Sequence, residues 1–231
     1  MKFRERERNF AISDIHGCCQ TFKRLLKKIK FKKSDHLYII GDFINKGKDS
    51  KELFQLLRKL TMEGRLTLLR GNHEQMMLDV YDGIKKRYLF EKIGGNQTLK
   101  SFKVKKVSQL PDELIEFVRS SKLNLIKDNY IMVHGGINFS KNDPMNPNME
   151  QLKLRNWYHK INQDALNGRI ILHGHSPVKR TVIEFQYQKM LQRRYLDLDS
   201  GCVYTEKKGM GYLTAFDMSN KLLYFQKNIE D

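Results

Sequence analysis

Residues 66–74 read LTLLRGNHE. Four apolar residues give way at once to an arginine, a glycine, an asparagine, a histidine and a glutamate. Such a stretch is a buried strand that ends either in a polar turn or in a site, and the rest of the chain has to separate the two. The same order recurs upstream. NFAIS at 9–13 predicts a strand and runs into DIHG, while HLYII at 36–40 predicts a second and runs into GDFINKG. Helical spacing follows each: Phe22, Leu25, Leu26 and Ile29 within about 18–30, then Leu53, Leu56, Leu57 and Leu60 within about 49–63, with a third helix starting near Glu74. Three strand–loop–helix units predict a sheet with helical crossovers.

Further along, residues 84–128 read as mostly helical, with Pro111 suited to a first helical turn. Beyond 130 the rhythm changes. NYIMVHGG, RIILHGHSP, VKRTVIEF, YLDLDSG, GYLTAFDM and KLLYFQ predict mostly short strands, with helix only near 149–160. An α/β half and a β-rich half then share one core, with no linker or internal repeat, so residues 1–231 are expected to form a single domain.

Composition sets limits on function. Forty-three Lys and Arg against 26 Asp and Glu give a net charge of +17, spread over KRLLKKIKFKK (23–33), IKKR (84–87) and KVKK (103–106). That field attracts polyanions. It carries no zinc-finger spacing, RNP-like segment or basic helix leading into heptads, so specific nucleic-acid reading is not expected. No apolar run approaches the roughly 18 residues that span a bilayer. MKFRERERNF lacks the apolar segment of a secretory signal. Cys18, Cys19 and Cys202 do not make a disulfide framework, and a reducing cytoplasm is the expected compartment.

The polar residues line up by position. Asp14 and His16 follow the first strand, Asp42 the second, Asn72 and His73 the third; His134 follows YIMV, and His173 and His175 follow RIIL. In an open α/β sheet the ligand crevice lies beyond the carboxyl ends of the strands. Taken singly, DIH is a helix cap and GD or HGG a turn. Five strands delivering such residues to one edge point to a site. Carboxylates, imidazoles and one amide oxygen suit Mn²⁺, Fe²⁺ or Zn²⁺ better than Mg²⁺ or Ca²⁺. A carboxylate such as Asp42 can bridge two ions about 3.5–4 Å apart and hold a hydroxide between them for in-line attack. Gly17, Gly41, Gly71, Gly135 and Gly174 let the backbone turn beside them.

In order, DIHG, GDFINKG, RGNHE, VHGG and GHSP resemble the signature of the PPP-type serine/threonine phosphatases, within the calcineurin-like metallophosphoesterases. The resemblance runs from Asp14 to about Phe216 and extends to bacterial and phage members and to symmetrical diadenosine tetraphosphatases. It implies a four-layer α/β/β/α sandwich with two divalent ions at its edge. Asp14, His16 and Asp42 would hold one ion, with Asp42 bridging, and Asn72, His134 and His175 would complete the second. His173, two residues before His175, would share its side of the strand as a pocket residue. His73 would act as general acid, Arg70 would clamp phosphate oxygens, and Glu74 would be a helix-start carboxylate.

Three departures stand out. Asn45 replaces the aspartate that pairs with the acid histidine in the family, and an amide cannot stabilise an imidazolium by charge. Lys46 replaces a phosphate-gripping arginine and supplies charge without the planar fork. In LRNWYHK at 154–160 the family's WxR arginine position is filled by His159, with Arg155 two residues before Trp157. Both remain candidates to face phosphate. Asp197 and Asp199 are assigned no ligand role.

These readings lead to a metal-dependent phosphomonoester hydrolase, a serine/threonine protein phosphatase using Mn²⁺, with a phosphoprotein or small phosphoester as substrate. The enzyme alternative is a symmetrical dinucleoside tetraphosphate hydrolase. The non-enzyme alternative is a metal-dependent binding module, told apart by the absence of any product.

Overall fold

The computed structural model describes residues 7–230, so part of the charged N-terminal stretch lies outside the described residues. β1 (Asn9–Ile12), β2 (His36–Ile40) and β3 (Leu66–Leu69) are the three expected parallel strands. They alternate with α1 (Cys19–Lys28), α2 (Ser50–Met62) and α3 (Asn72–Tyr81). Asp49 caps α2 by accepting the Glu52 amide at 3.3 Å, and Leu53, Phe54, Leu57 and Leu60 are buried on its inner face.

The middle is helical as read, in α4 (Arg87–Lys92), α5 (Gly95–Phe102) and α6 (Asp112–Arg119), with Pro111 at the cap of α6. It ends sooner than expected. Asn124–Lys127 is strand β4, folded back on β5 (Tyr130–Val133) through a two-residue turn in which Asp128 takes φ 51°. β6 (Ile170–His173) and β7 (Tyr195–Asp197) run parallel to β5.

Two helical readings need correction. VKRTVIEF is not a strand: α8 spans Arg180–Gln188 and is followed by α9 (Met190–Arg193), with the four-residue α7 (Gln163–Leu166) upstream. Ile183, Gln186 and Met190 are buried while Val182 and Phe185 are exposed, a helical face hidden inside a β-branched, aromatic composition. Residues 149–160, expected to be helical, hold only two 3-10 turns, at Met149–Leu152 and Tyr158–Lys160. The Gln151 carbonyl accepts the Gly135 amide at 2.8 Å, and the indole N–H of Trp157 donates to the Gly135 carbonyl at 2.9 Å. A continuous helix would withdraw that carbonyl and that ring.

β8 (Tyr212–Asp217) and β9 (Leu222–Lys227) complete the first sheet, whose order is β3-β2-β1-β8-β9; the second is β4-β5-β6-β7. The halves of the chain are therefore interleaved. Period-2 alternation builds the layers. Phe10, Ile12, Leu37, Ile39 and Leu68 face the α1–α6 helices, whereas Ala11, Tyr38, Ile40, Met132, Leu172 and Leu196 pack between the sheets. Ile131, Val133, Ile171 and Tyr195 face the fourth layer, which is mostly 3-10 turns and loop around Trp157. The carboxyl ends of β1, β2, β3, β5, β6 and β7 share one edge. No described helix is long and apolar enough to cross a membrane.

Candidate metal centre

The backbone itself marks that edge. Asp14, His16, Asp42, Asn45, Lys46 and His175 all take left-handed φ, between 47° and 71°. Side chains with a Cβ avoid this region, at a cost of about 1–3 kcal/mol each, and persist there where surrounding structure holds them. Gly41, at φ 77°, has no such option. A Cβ there would lie 2.6 Å from Gly71 and 2.8 Å from His134 Nδ1.

Asp42 is the hub. Its Oδ2 lies 3.7 Å from His16 Nε2 and 3.6 Å from His73 Nε2, and its Oδ1 lies 3.4 Å from His134 Nε2. His134 Nε2 is also 3.0 Å from Asn72 Oδ1, and the His134 and His175 rings meet edge to face at 5.1 Å. Two ring nitrogens are turned outward by carbonyls: His16 Nδ1 lies 3.0 Å from Ile44 O and His134 Nδ1 lies 2.9 Å from Ile40 O. Each Nδ1 donates, which leaves Nε2 as the ring nitrogen turned toward Asp42. Asp14 completes the set, with Oδ1 3.8 Å from His16 Nε2 and Oδ2 accepting from Ser13 and from the His175 amide at 3.0 Å.

The donors form two groups that could each hold an ion, His16–Asp42–His73 and Asp42–His134–His175, with Asp42 common to both. The buried Nε2 of His175 has no hydrogen-bond partner among the described residues, as a nitrogen reserved for a metal would. Burial would raise the Asp42 carboxyl, but His134 and His73 outweigh it and hold it well below the usual range. Burial lowers His134, yet Asp42 and Asp14 push it up to about 10. The acids thus create a field that draws positive charge, and an N/O donor set of this kind fits first-row divalent ions.

Around this centre the expected residues divide. Lys46 reaches it, with Nζ 2.9 Å from His16 Nε2. Asn45 contacts His73: its Nδ2 lies 3.0 Å from Nδ1, while the Thr98 hydroxyl donates to Asn45 Oδ1 at 2.7 Å. With the amide placed this way Asn45 Nδ2 donates to the ring, and the His73 proton resides on Nε2. Arg155 sits beside it, donating to the Ser176 hydroxyl at 2.7 Å. His159 is exposed and makes no contact with the centre among the described residues. Arg70 is committed elsewhere. It donates to Ser121 Oγ, Gln75 Oε1 and the Arg119 and Ser121 carbonyls at 2.8–3.4 Å, which leaves no free pair of N–H groups for a bidentate grip. His173 does not share a face with His175. The left-handed turn at His175 separates them, and His173 lies among Trp157, Tyr158 and Tyr195.

Two residues hold the loops, Glu74 as the expected helix-start carboxylate with a wider reach and Thr98, which was not anticipated. Glu74 accepts the amides of Asp42, Phe43, Ile44 and Gly71 at 2.8–3.2 Å, tying the β2 loop to the start of α3. Thr98 fixes Asn45 from 53 residues away. Glu74 could be found from its place in the third motif, whereas nothing local marks Thr98.

Residues 9–205 match the calcineurin-like phosphoesterase family. The chain belongs to that family. Among curated relatives, this phosphoesterase is similar to the symmetrical bis(5'-nucleosyl)-tetraphosphatases of Nitrosospira multiformis (30% identical, 55% of this chain and 43% of that one) and Cellvibrio japonicus (34%, 55% and 44%). A Buchnera aphidicola relative of the same name is 43% identical over 33% of this chain and 28% of that one. This chain thus spans less than half the length of these relatives. Its fold is similar to a structure described as a putative diadenosine tetraphosphatase (TM-score 0.62, 18% identical, 94% and 92% covered). It is also similar to a Saccharomyces cerevisiae serine/threonine phosphatase (TM-score 0.66, 16%, 100% and 82%).

Proposed function

We propose that this calcineurin-like phosphoesterase hydrolyses dinucleoside tetraphosphates symmetrically. The observation that carries this reading is the shared description of the curated relatives, at 30–43% identity, as symmetrical tetraphosphatases. The likeness to a serine/threonine phosphatase, at 16% identity, is one of fold alone. The phosphoprotein reading, placed first from sequence, therefore takes second place.

In this proposal Asp14, His16 and Asp42 would hold one ion, and Asp42, Asn72, His134 and His175 would hold the other. Mn²⁺ is expected first, with Fe²⁺ or Zn²⁺ fitting the same donors. When bound, the ions supply Lewis acidity and activate the attacking water. Lys46, beside His16, and Arg155, bonded to Ser176, offer charge to phosphate oxygens. His73 presents its Nε2 proton to the leaving oxygen. Asn45 suits a phosphoanhydride in particular. A nucleoside diphosphate leaves with little protonation, so the carboxylate that would keep His73 charged is dispensable, whereas a serine alkoxide would need it. The chain acts as one catalytic domain in this reading, since β8 pairs on β1 and β9 on β8 to complete the first sheet. Three buried free thiols agree with a reducing cytoplasm.

The test is a product analysis. Mn²⁺-loaded protein incubated with diadenosine tetraphosphate should yield ADP alone. No turnover of that substrate, with free phosphate released from a phosphoserine peptide, would return the phosphoprotein reading to first place.

A further inference from the structure

The loop after β7 is closed at its base and presents its side chains beside the metal centre. The Gly201 carbonyl accepts the amides of Tyr204 at 2.9 Å and Gly211 at 3.1 Å, and the Gly209 carbonyl accepts the Arg180 amide at 2.8 Å. These bonds leave the backbone of 201–211 little freedom. Gly201 takes φ 65° and packs against Tyr204: a Cβ there would come within 3.1 Å of the ring at Cδ2.

Tyr204 is only half-buried, and its ring has two ammonium groups near it, Lys207 Nζ at 4.2 Å and Lys46 Nζ at 5.4 Å from the centroid. That same Lys46 Nζ lies 2.9 Å from His16 Nε2. A single lysine head therefore spans from the catalytic edge to an aromatic face. Lys207 and its neighbour Lys208 are exposed and have no carboxylate partner among the described residues.

We propose that Tyr204 and Lys207 form a nucleoside-phosphate subsite, in which a purine stacks on the Tyr204 ring and the phosphates next to it run past Lys207 and Lys46 toward the ions. The inference rests on the dinucleotide reading of the same site and names where that substrate's base binds. An aromatic face accepts any base by stacking, and a cation over such a face is free to exchange it for a phosphate oxygen, which it binds more strongly. A rigid loop offers that platform without an ordering cost on binding. A phosphoserine peptide has no base to place there.

The experiment uses ADP and inorganic pyrophosphate as probes, titrated calorimetrically into Mn²⁺-loaded full-length protein. Wild type should bind ADP at least about tenfold more tightly than pyrophosphate, the gain that stacking on one aromatic ring confers. Tyr204→Phe should keep that preference. Tyr204→Ala should abolish it, and so should Tyr204→Leu, which retains apolar bulk without a π face and covers the case of an unstable alanine variant. Lys207→Ala should weaken both probes together. Equal affinities in wild type, or a preference that survives loss of the ring, would overturn the subsite. Because the readout is affinity and not turnover, a ring-dependent ADP preference stands whether or not diadenosine tetraphosphate is cleaved. Conversely, cleavage of that compound does not rescue a subsite that fails the binding test.

Discussion

Asn45 receives a hydroxyl proton from Thr98 at 2.7 Å and gives an amide proton to His73 at 3.0 Å, so an aspartate in its place would accept where asparagine donates. Asn45→Asp should favour the charged form of His73 and help esters with poor leaving groups most. The ratio of kcat/KM on a phosphoserine peptide to that on p-nitrophenyl phosphate should rise about tenfold, a fraction of what a general acid supplies. An unchanged ratio with unchanged metal content would remove Asn45 from the proton path. Asp42→Asn should act on both ions. Metal analysis after Mn²⁺ loading should fall from about two ions per chain to less than one, with activity down at least about a hundredfold. The candidate ligands were legible because each stands directly after a predicted strand, where the chain reverses and the side chain is delivered to the sheet edge. Thr98 was not, since its contact with Asn45 is made by folding across 53 residues. The commitment of Arg70 to the end of α6 was hidden for the same reason. His173 misled because strand alternation was extended two residues past the strand, through a left-handed turn that a histidine rarely adopts.

Elements decide how the site is held. Glu74 gathers four amides from two loops, and Glu74→Ala would orphan all of them in a buried place. The cost should be at least about 3 kcal/mol in urea unfolding, beyond the loss of a helix-start charge alone. The fourth layer depends on Gly136 in the same way, since any Cβ there would overlap the Trp157 indole. Gly136→Ala should cost about 2 kcal/mol through forced repacking. Trp157 is the only tryptophan, so its fluorescence reports this layer directly, and an unshifted emission spectrum in the variant would contradict the packing. The first three strands were readable because short apolar runs ended directly in turn signals. α8 was not, because its β-branched and aromatic residues suit a strand locally while only Ile183, Gln186 and Met190 show the helical spacing. Gln186 explains why a helix belongs there: its side-chain oxygen accepts the Asp197 amide at 2.9 Å and covers the open edge of the second sheet.

At the scale of the whole molecule, a chain of net charge +17 carries an acidic, imidazole-rich centre. A tetraphosphate is drawn to that surface more strongly than a monoester, so kcat/KM on diadenosine tetraphosphate should fall about tenfold between low salt and 0.5 M, and that on p-nitrophenyl phosphate much less. Parallel salt curves would show that the field plays no part in substrate capture. The charge was visible in composition, but its use was not, since scattered lysines read equally well as a solvated surface. What the centre acts on is the claim that organises the rest, and one comparison tests it most directly. Specificity constants should be measured with Mn²⁺ at equal enzyme concentration for diadenosine tetraphosphate, phosphoserine, phosphothreonine and phosphotyrosine peptides, and 5'-phosphorylated oligonucleotides. Diadenosine tetraphosphate is expected to lead every phosphopeptide by at least about tenfold, the margin that one nucleobase contact supplies. A phosphopeptide leading by the same margin would contradict the account.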